Sequence, residues 1–282
     1  MADTAFQIQY RQEWIDGFEL RQSLIRDAVT TEAVIKGNQA TFLIADSGSA
    51  TTVTRGVNGL IPARADSLTQ TTATLTEEHD LVRRTNFNIF ASQSDGRRIM
   101  QATSYGVVNR KTDSQIITAL DTATNDTGAY TTASLAMAVK SKAILGNAKV
   151  PFDGQVWALI TPAFEAYLLQ TTAFSSADYI NAKPLAGSGS NRMGFGYYEW
   201  MGVKWIVHPG LTGVGTSTEK CYMFHKSAIG HAMDTAGMNM AVGYDEEQDY
   251  SYCRTSAYMG AALLQNSGVV QMKHDGSAYV AA

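Results

Sequence analysis

The run Gly210-Leu-Thr-Gly-Val-Gly-Thr216 has the glycine spacing with which backbone amides cradle an anion. A phosphate loop of that kind also needs a lysine after the last glycine and a helix opening behind it. Thr216 stands in the lysine position and no helical periodicity follows, so the run reads as a loop between strands. His225 and His231 are six positions apart, on different faces of any helix, and no His-Glu-x-x-His pattern surrounds them. His208 precedes Pro209 at the end of a strand pattern, while His79 and His274 have acidic neighbours. All five histidines read as core or surface residues. A hydrolase serine needs a Gly-x-Ser-x-Gly elbow between strand and helix, whereas Gly187-Ser-Gly-Ser190 is a flexible glycine loop. Asp245-Glu-Glu-Gln-Asp249 offers paired carboxylates, but a strand would point neighbours to opposite faces, which makes the run an acidic rim. No catalytic residue, cofactor or metal site is assigned, and an enzyme is the weaker class.

The elements that would carry such groups begin with an amphipathic helix over residues 5–27, where Phe6, Tyr10, Trp14 and Phe18 recur every fourth position and Ile25 follows. Such a helix needs a surface, its own domain or a neighbouring molecule. Residues 31–45 turn strand-like, with Val34, Ile35, Phe42 and Ile44. Between Asp46 and Thr76 come eight threonines, three glycines and no aromatic residue. That composition suits an extended two-stranded hairpin that projects, because it has too little apolar surface for a core of its own. Ser92, Ser94 and Asp95 offer N-caps to a long helix over 95–123, broken off by Thr124–Gly128. Thr131 or Thr132 would cap a second helix that Gly146 closes. Gln155–Ile160 is a buried strand entering a helix with Thr161 at its cap and Pro162 at its first position. Further strands are expected at 200–208, 220–225, 249–264 and 268–274, which makes the class α+β.

The net charge of −4 argues against a surface built mainly to neutralise nucleic acid. Charged residues are 17% of the chain, below the roughly 25% usual for soluble domains, a deficit that compositional drift or a chain covered by copies of itself would each produce. Cys221 and Cys253 lack a Cys-x-x-Cys spacing and read as reduced thiols. The first residues lack the basic and apolar regions of a signal peptide, and the longest uncharged stretch, 255–272, holds too many polar residues to span a bilayer.

Taken in order, an amphipathic arm, a threonine-rich hairpin, a long helix, the strand-Thr161-Pro162-helix unit and closing strands resemble the major capsid protein of tailed bacteriophages, the Hong Kong 97 type of fold. The wording is similar too, in Thr31-Glu-Ala-Val-Ile-Lys-Gly-Asn-Gln-Ala-Thr-Phe-Leu43, Arg55-Gly-Val-Asn-Gly-Leu-Ile-Pro-Ala-Arg64, Trp200-Met-Gly-Val-Lys-Trp-Ile-Val-His-Pro209 and Gly243-Tyr-Asp-Glu-Glu-Gln-Asp-Tyr250. The resemblance covers nearly the whole chain. It implies an arm (1–30), strands and an extended loop (31–90), a peripheral domain on a long spine helix (91–130 with 237–265) and an axial domain (131–236 with 266–282). It further implies a structural protein, present in the virion capsid and assembled in the host cytoplasm. Hexamers and pentamers would close into an icosahedral shell around double-stranded DNA, held on the inner surface without sequence specificity. A portal, a decoration protein and a separate scaffolding protein, or none, would be its other partners, with no membrane and no cofactor. An encapsulin-like nanocompartment shell is the alternative, and a small α/β hydrolase or nucleotide-binding enzyme the remote one.

Contacts between subunits are expected at Trp14 and Phe18 on the arm, Arg55 and Arg64 on the loop, Arg97 and Arg98 on the long helix, and Glu246 and Glu247 on the acidic run. The last four rest on charge. Residues 83–111 hold Arg83, Arg84, Arg97, Arg98, Arg110 and Lys111 against Asp95 alone, whereas 234–249 hold five acids and no Lys or Arg. Complementary patches of this kind fix register between neighbours more than they add affinity.

Overall fold

The computed structural model describes residues 22–31, 33–47, 50–61, 63, 66–85, 96–175 and 197–278. Trp14, Phe18, Arg64, the caps Ser92 and Ser94, and the loop 187–190 lie outside the described residues. The elements are β1 (Val34–Lys36), β2 (Gln39–Asp46), β3 (Ser67–Thr74), β4 (Thr76–Thr85), α1 (Gly96–Asp121), α2 (Leu135–Asn147), β5 (Val156–Ile160), α3 (Pro162–Leu169), α4 (Thr172–Ser175), β6 (Tyr198–Trp200), β7 (Val203–Val207), β8 (Glu219–His225), β9 (Ile229–Asp245), β10 (Tyr250–Leu263) and β11 (Val269–His274). The strands form sheets ordered β1-β2-β3, β4-β10-β9 and β11-β8-β5-β7-β6. This is the α+β class expected.

The chain divides into two units. The smaller comprises 1–23, 77–111 and 234–258. In it Ser104 on α1 donates to Thr255 on β10 at 2.9 Å, and Lys111 meets Glu78 at 3.2 Å. The larger comprises 24–76, 112–233 and 259–282 and holds the main core. β5 sits in the middle of its five-stranded sheet and is buried along its whole length, as a continuous apolar run between two strand neighbours should be. Its partner β7 runs parallel and β8 antiparallel. Trp205, Tyr222, Phe164 and Phe224 are fully buried around it. Full burial of a large apolar side chain contributes about 1.5–3 kcal/mol.

Local chemistry sets the boundaries. Thr161 accepts a hydrogen bond from the Phe164 amide at 3.2 Å with Pro162 opening α3, the cap and first turn the sequence predicts. The cap of α2 is Ser134, not Thr131 or Thr132. Thr131 is drawn onto the sheet instead, where its amide reaches Lys273 O and its carbonyl takes the Asp275 amide. Gly146 does not close α2 either; the helix runs one residue further and Lys149 takes the left-handed turn (φ 59°). The strand expected over 200–208 is split, because Met201 and Gly202 both have positive φ and fold β6 back on β7. At the end of the expected N-terminal helix the described residues hold only a 3-10 turn, Arg26–Ala28. The amides of Leu24 and Ile25 go to a side chain, Asp113, rather than to helical carbonyls. The sequence reading also missed β4 and the long β9.

Candidate functional site

The exposed surface around 43–68 starts from a hairpin. β2 and β3 pair antiparallel from Gln39↔Thr74 to Asp46↔Ser67, so the expected hairpin exists with its strands nearer its base than the 46–76 stretch suggested. One face carries Ala40, Phe42 and Ala73, buried with Ala232. A Cβ on Gly230 would lie 2.6 Å from the Phe42 ring, so only glycine lets the ring seat there. The other face leaves Leu43 and Leu68 almost 80% exposed, at 78% and 79%. Beyond the strands, every residue of 50–61 is exposed and none is in a strand. A turn closes the tip, where Gly56 donates to Leu60 O at 3.0 Å and Gly59, at φ 71°, donates to Gly56 O at 2.9 Å. Arg55 flanks that turn in solvent, with Val57, Leu60 and Ile61 uncovered beside it. Apolar groups left uncovered together on one loop mark an interaction surface.

The acidic run is a turn, not the strand expected. Asp245 Oδ1 accepts the amides of Glu247 and Gln248 at 3.0 and 3.2 Å, which ends β9, and Asp249 has φ 51°. Glu246 and Glu247 are exposed there. Tyr244 donates to Asp249 at 2.5 Å, and that bond to a carboxylate raises the Tyr244 hydroxyl above its ordinary pKa. Of the basic set, Lys111 pairs with Glu78 and Arg83 lies over the Tyr250 ring at 4.9 Å. The side chains of Arg97 and Arg98 are outside the described residues, although their backbone belongs to α1.

Groups that sequence reading did not bring together do meet. His79 shares a hydrogen bond with Ser256 at 2.9 Å and its other ring nitrogen meets Glu77 at 2.9 Å. Acid, imidazole and hydroxyl thus line up on β4 and β10, on residues 177 positions apart, where they lace one strand to the next. Glu219, fully buried, accepts from the Thr161 hydroxyl at 2.7 Å and from the Gly215 amide at 2.6 Å. The glycine loop that imitates an anion cradle therefore holds the chain's own carboxylate. Gly213 (φ 79°) permits this, since a Cβ there would meet Thr218 O at 2.5 Å. An acid at the mouth of an apolar strand was the available signal. At Asp121, burial pushes the carboxyl pKa up, but hydrogen bonds from Thr212, Tyr222 and Lys220 outweigh it and hold the group below its usual range. Among the described residues no group of His, Cys, Asp and Glu could hold a metal ion, and no helix is long and apolar enough to cross a membrane.

A family model described as phage capsid protein matches residues 2–276. The chain belongs to the phage capsid protein family. No curated protein matches it in sequence. Solved structures do. That of Mycobacterium phage Che8 is 17% identical with a TM-score of 0.71, over 96% of this chain and 98% of the other. The capsid of cyanophage P-SCSP1u is 13% identical with a TM-score of 0.67, over 96% and 93%. The capsid of Ralstonia phage GP4 is 11% identical with a TM-score of 0.64, over 96% and 97%. The fold is that of the Hong Kong 97 type capsids. Family and fold make this a major capsid protein, a structural and non-enzymatic component of the virion capsid that assembles with itself into shells. The encapsulin-like and enzymatic alternatives find no support in these matches.

Proposed function

We propose that the capsid protein forms hexamers and pentamers that close into an icosahedral shell around double-stranded DNA, with the loop 50–61 lying over an adjacent subunit. The uncovered apolar group Val57, Leu60 and Ile61 on a projecting hairpin carries this reading, since a neighbouring copy would bury it. Residues 1–30 act as the arm, with Trp14 and Phe18 packing on a neighbour. The remaining division is 31–90 for strands and loop, 91–130 with 237–265 for the peripheral domain, and 131–236 with 266–282 for the axial domain. Arg55 and Arg64 on the loop join the contact between subunits. DNA is held without sequence specificity on the inner face, and the shell is built in the host cytoplasm with a portal, a decoration protein and a separate scaffolding protein or none.

Deleting residues 50–62 tests the reading. The expected result is a soluble, folded subunit by circular dichroism that forms no closed shells under the electron microscope. Closed shells of ordinary size from the deletion variant would refute it.

A further inference from the structure

We propose that Asp113 is the residue that fixes the root of the N-terminal arm, holding its exit direction so that the arm reaches the right neighbour. Asp113 lies in the second half of α1 and is 1% exposed. One carboxylate oxygen accepts the Leu24 amide at 3.0 Å and the other accepts the Ile25 amide at 3.4 Å, across 89 and 88 positions of sequence. Buried backbone amides that no helix or sheet satisfies need such a partner, and an ionised acceptor makes the strongest one.

The carboxylate is itself aimed. His208 Nε2 lies 3.3 Å from Asp113 Oδ2, while His208 Nδ1 accepts the Gly210 amide at 3.0 Å. A ring nitrogen that accepts cannot carry the proton, so the proton sits on Nε2 and is donated to Asp113. His208 ends the stretch after β7, so that strand orients the imidazole, which orients the carboxylate, which holds the arm. Six residues further along, the Thr30 amide donates to Ile229 O at 3.0 Å, the His231 amide donates to Thr30 O at 2.9 Å, and the Thr30 hydroxyl donates to Lys226 O at 3.1 Å. Between these two fixings Ile25, Ala28 and Val29 are buried in the main core. Residues 24–30 are thus held at both ends. Asp113 reaches the arm through the Leu24 and Ile25 amides, so it is a positioning residue.

This inference rests on the reading of residues 1–30 as an arm that packs on a neighbour. The test uses the full-length chain, Asp113→Ala, Asp113→Asn and a deletion of residues 1–21, read by amide-resolved hydrogen exchange and by electron microscopy of shells. In Asp113→Ala, exchange at Leu24 and Ile25 rises about tenfold to a hundredfold while the amides of β5 hold, as befits loss of a bond to a charged acceptor. Asp113→Asn keeps a neutral oxygen in place and raises exchange at those two amides only about fivefold. Closed shells are lost in Asp113→Ala as in the deletion, and return in part with Asn. Unchanged exchange at Leu24 and Ile25, or an equal rise in β5, overturns the anchor. So do normal shells from Asp113→Ala when the deletion variant makes none. Normal shells from the deletion variant overturn the arm reading itself, whatever the exchange shows. Should Asp113→Ala not fold, the Asn variant decides, since a local rise at Leu24 and Ile25 is still required of it.

Discussion

Burial at His231 sets its proton affinity. Its imidazole is 1% exposed, its Nε2 has no partner among the described residues, and burial together with the nearby Arg26 charge pushes its pKa down to about 4, against a smaller pull from Asp113. Well above the unfolded value of 6.5 the ring is neutral in both states and adds no pH dependence. As pH falls below that value the unfolded chain takes up a proton that the folded chain refuses, so stability declines until about pH 4 and then levels off. The loss approaches about 3 kcal/mol, at roughly 1.4 kcal/mol per unit of displacement. Urea unfolding of the dissociated subunit at pH 7.5 and 4.5 should show it, and His231→Asn should flatten the difference; equal pH dependence in the two proteins would exclude His231 as the cause. The thiols obey the same rule with the opposite sign. Burial pushes Cys221 up to about 12 and raises Cys253, so at pH 8 both are uncharged thiols in a core. Iodoacetamide should leave both unlabelled in the native protein and label both in denaturant.

Among the elements, α3 depends most on one side chain. Thr161 caps the helix through Phe164 and also donates to the buried Glu219, so Thr161→Ala removes a cap and leaves a buried carboxylate short of a donor. Adding a cap of about 0.5–2 kcal/mol to an unpaired group of about 1–3 kcal/mol gives an expected loss of about 2–4 kcal/mol in denaturant unfolding. Thr161→Ser should recover most of it; a loss no larger than that of a surface Thr→Ala change would show that Glu219 finds another donor. This strand-cap-helix unit was legible in sequence because every determinant is local: an apolar run, a threonine, a proline. α1 was legible to within two residues at each end for the same reason. Where reading failed, a distant group had taken over the backbone. Thr131 was lost as a cap to β11, and residues 24–25 were taken out of a helix by Asp113. β9 escaped notice because Gly230, Gly237 and Gly243 interrupt its alternation, and at Gly243 a Cβ would meet the Tyr252 ring at 2.6 Å. Of the contact candidates, the loop was visible as threonine without core, whereas the turn at 245–249 was hidden because its geometry comes from one aspartate bonding its own backbone.

At the scale of the whole molecule, charge placement makes a separable prediction. The exposed Glu246 and Glu247 lie in a turn that also holds Asp245 and Asp249, and α1 opens with Arg97 and Arg98. Isolated surface pairs contribute only about 0–1 kcal/mol each, but a closed shell repeats each contact in every subunit. Reversing Glu246 and Glu247 to Lys should block or mis-size assembly at low salt, and reversing Arg97 and Arg98 to Glu in the same chain should restore it in part. Normal shells from the Glu246→Lys, Glu247→Lys variant would remove the turn from the contact and leave the arginines to the DNA. The uncovered loop has a further consequence. If another copy covers that apolar tip, as we propose, the order of the hairpin follows mass action, rising with subunit concentration and falling on dilution. Trypsin should then cleave at Arg55 faster in dilute free subunits than in assembled shells, and the rate at which the chain accumulates becomes part of how the loop folds.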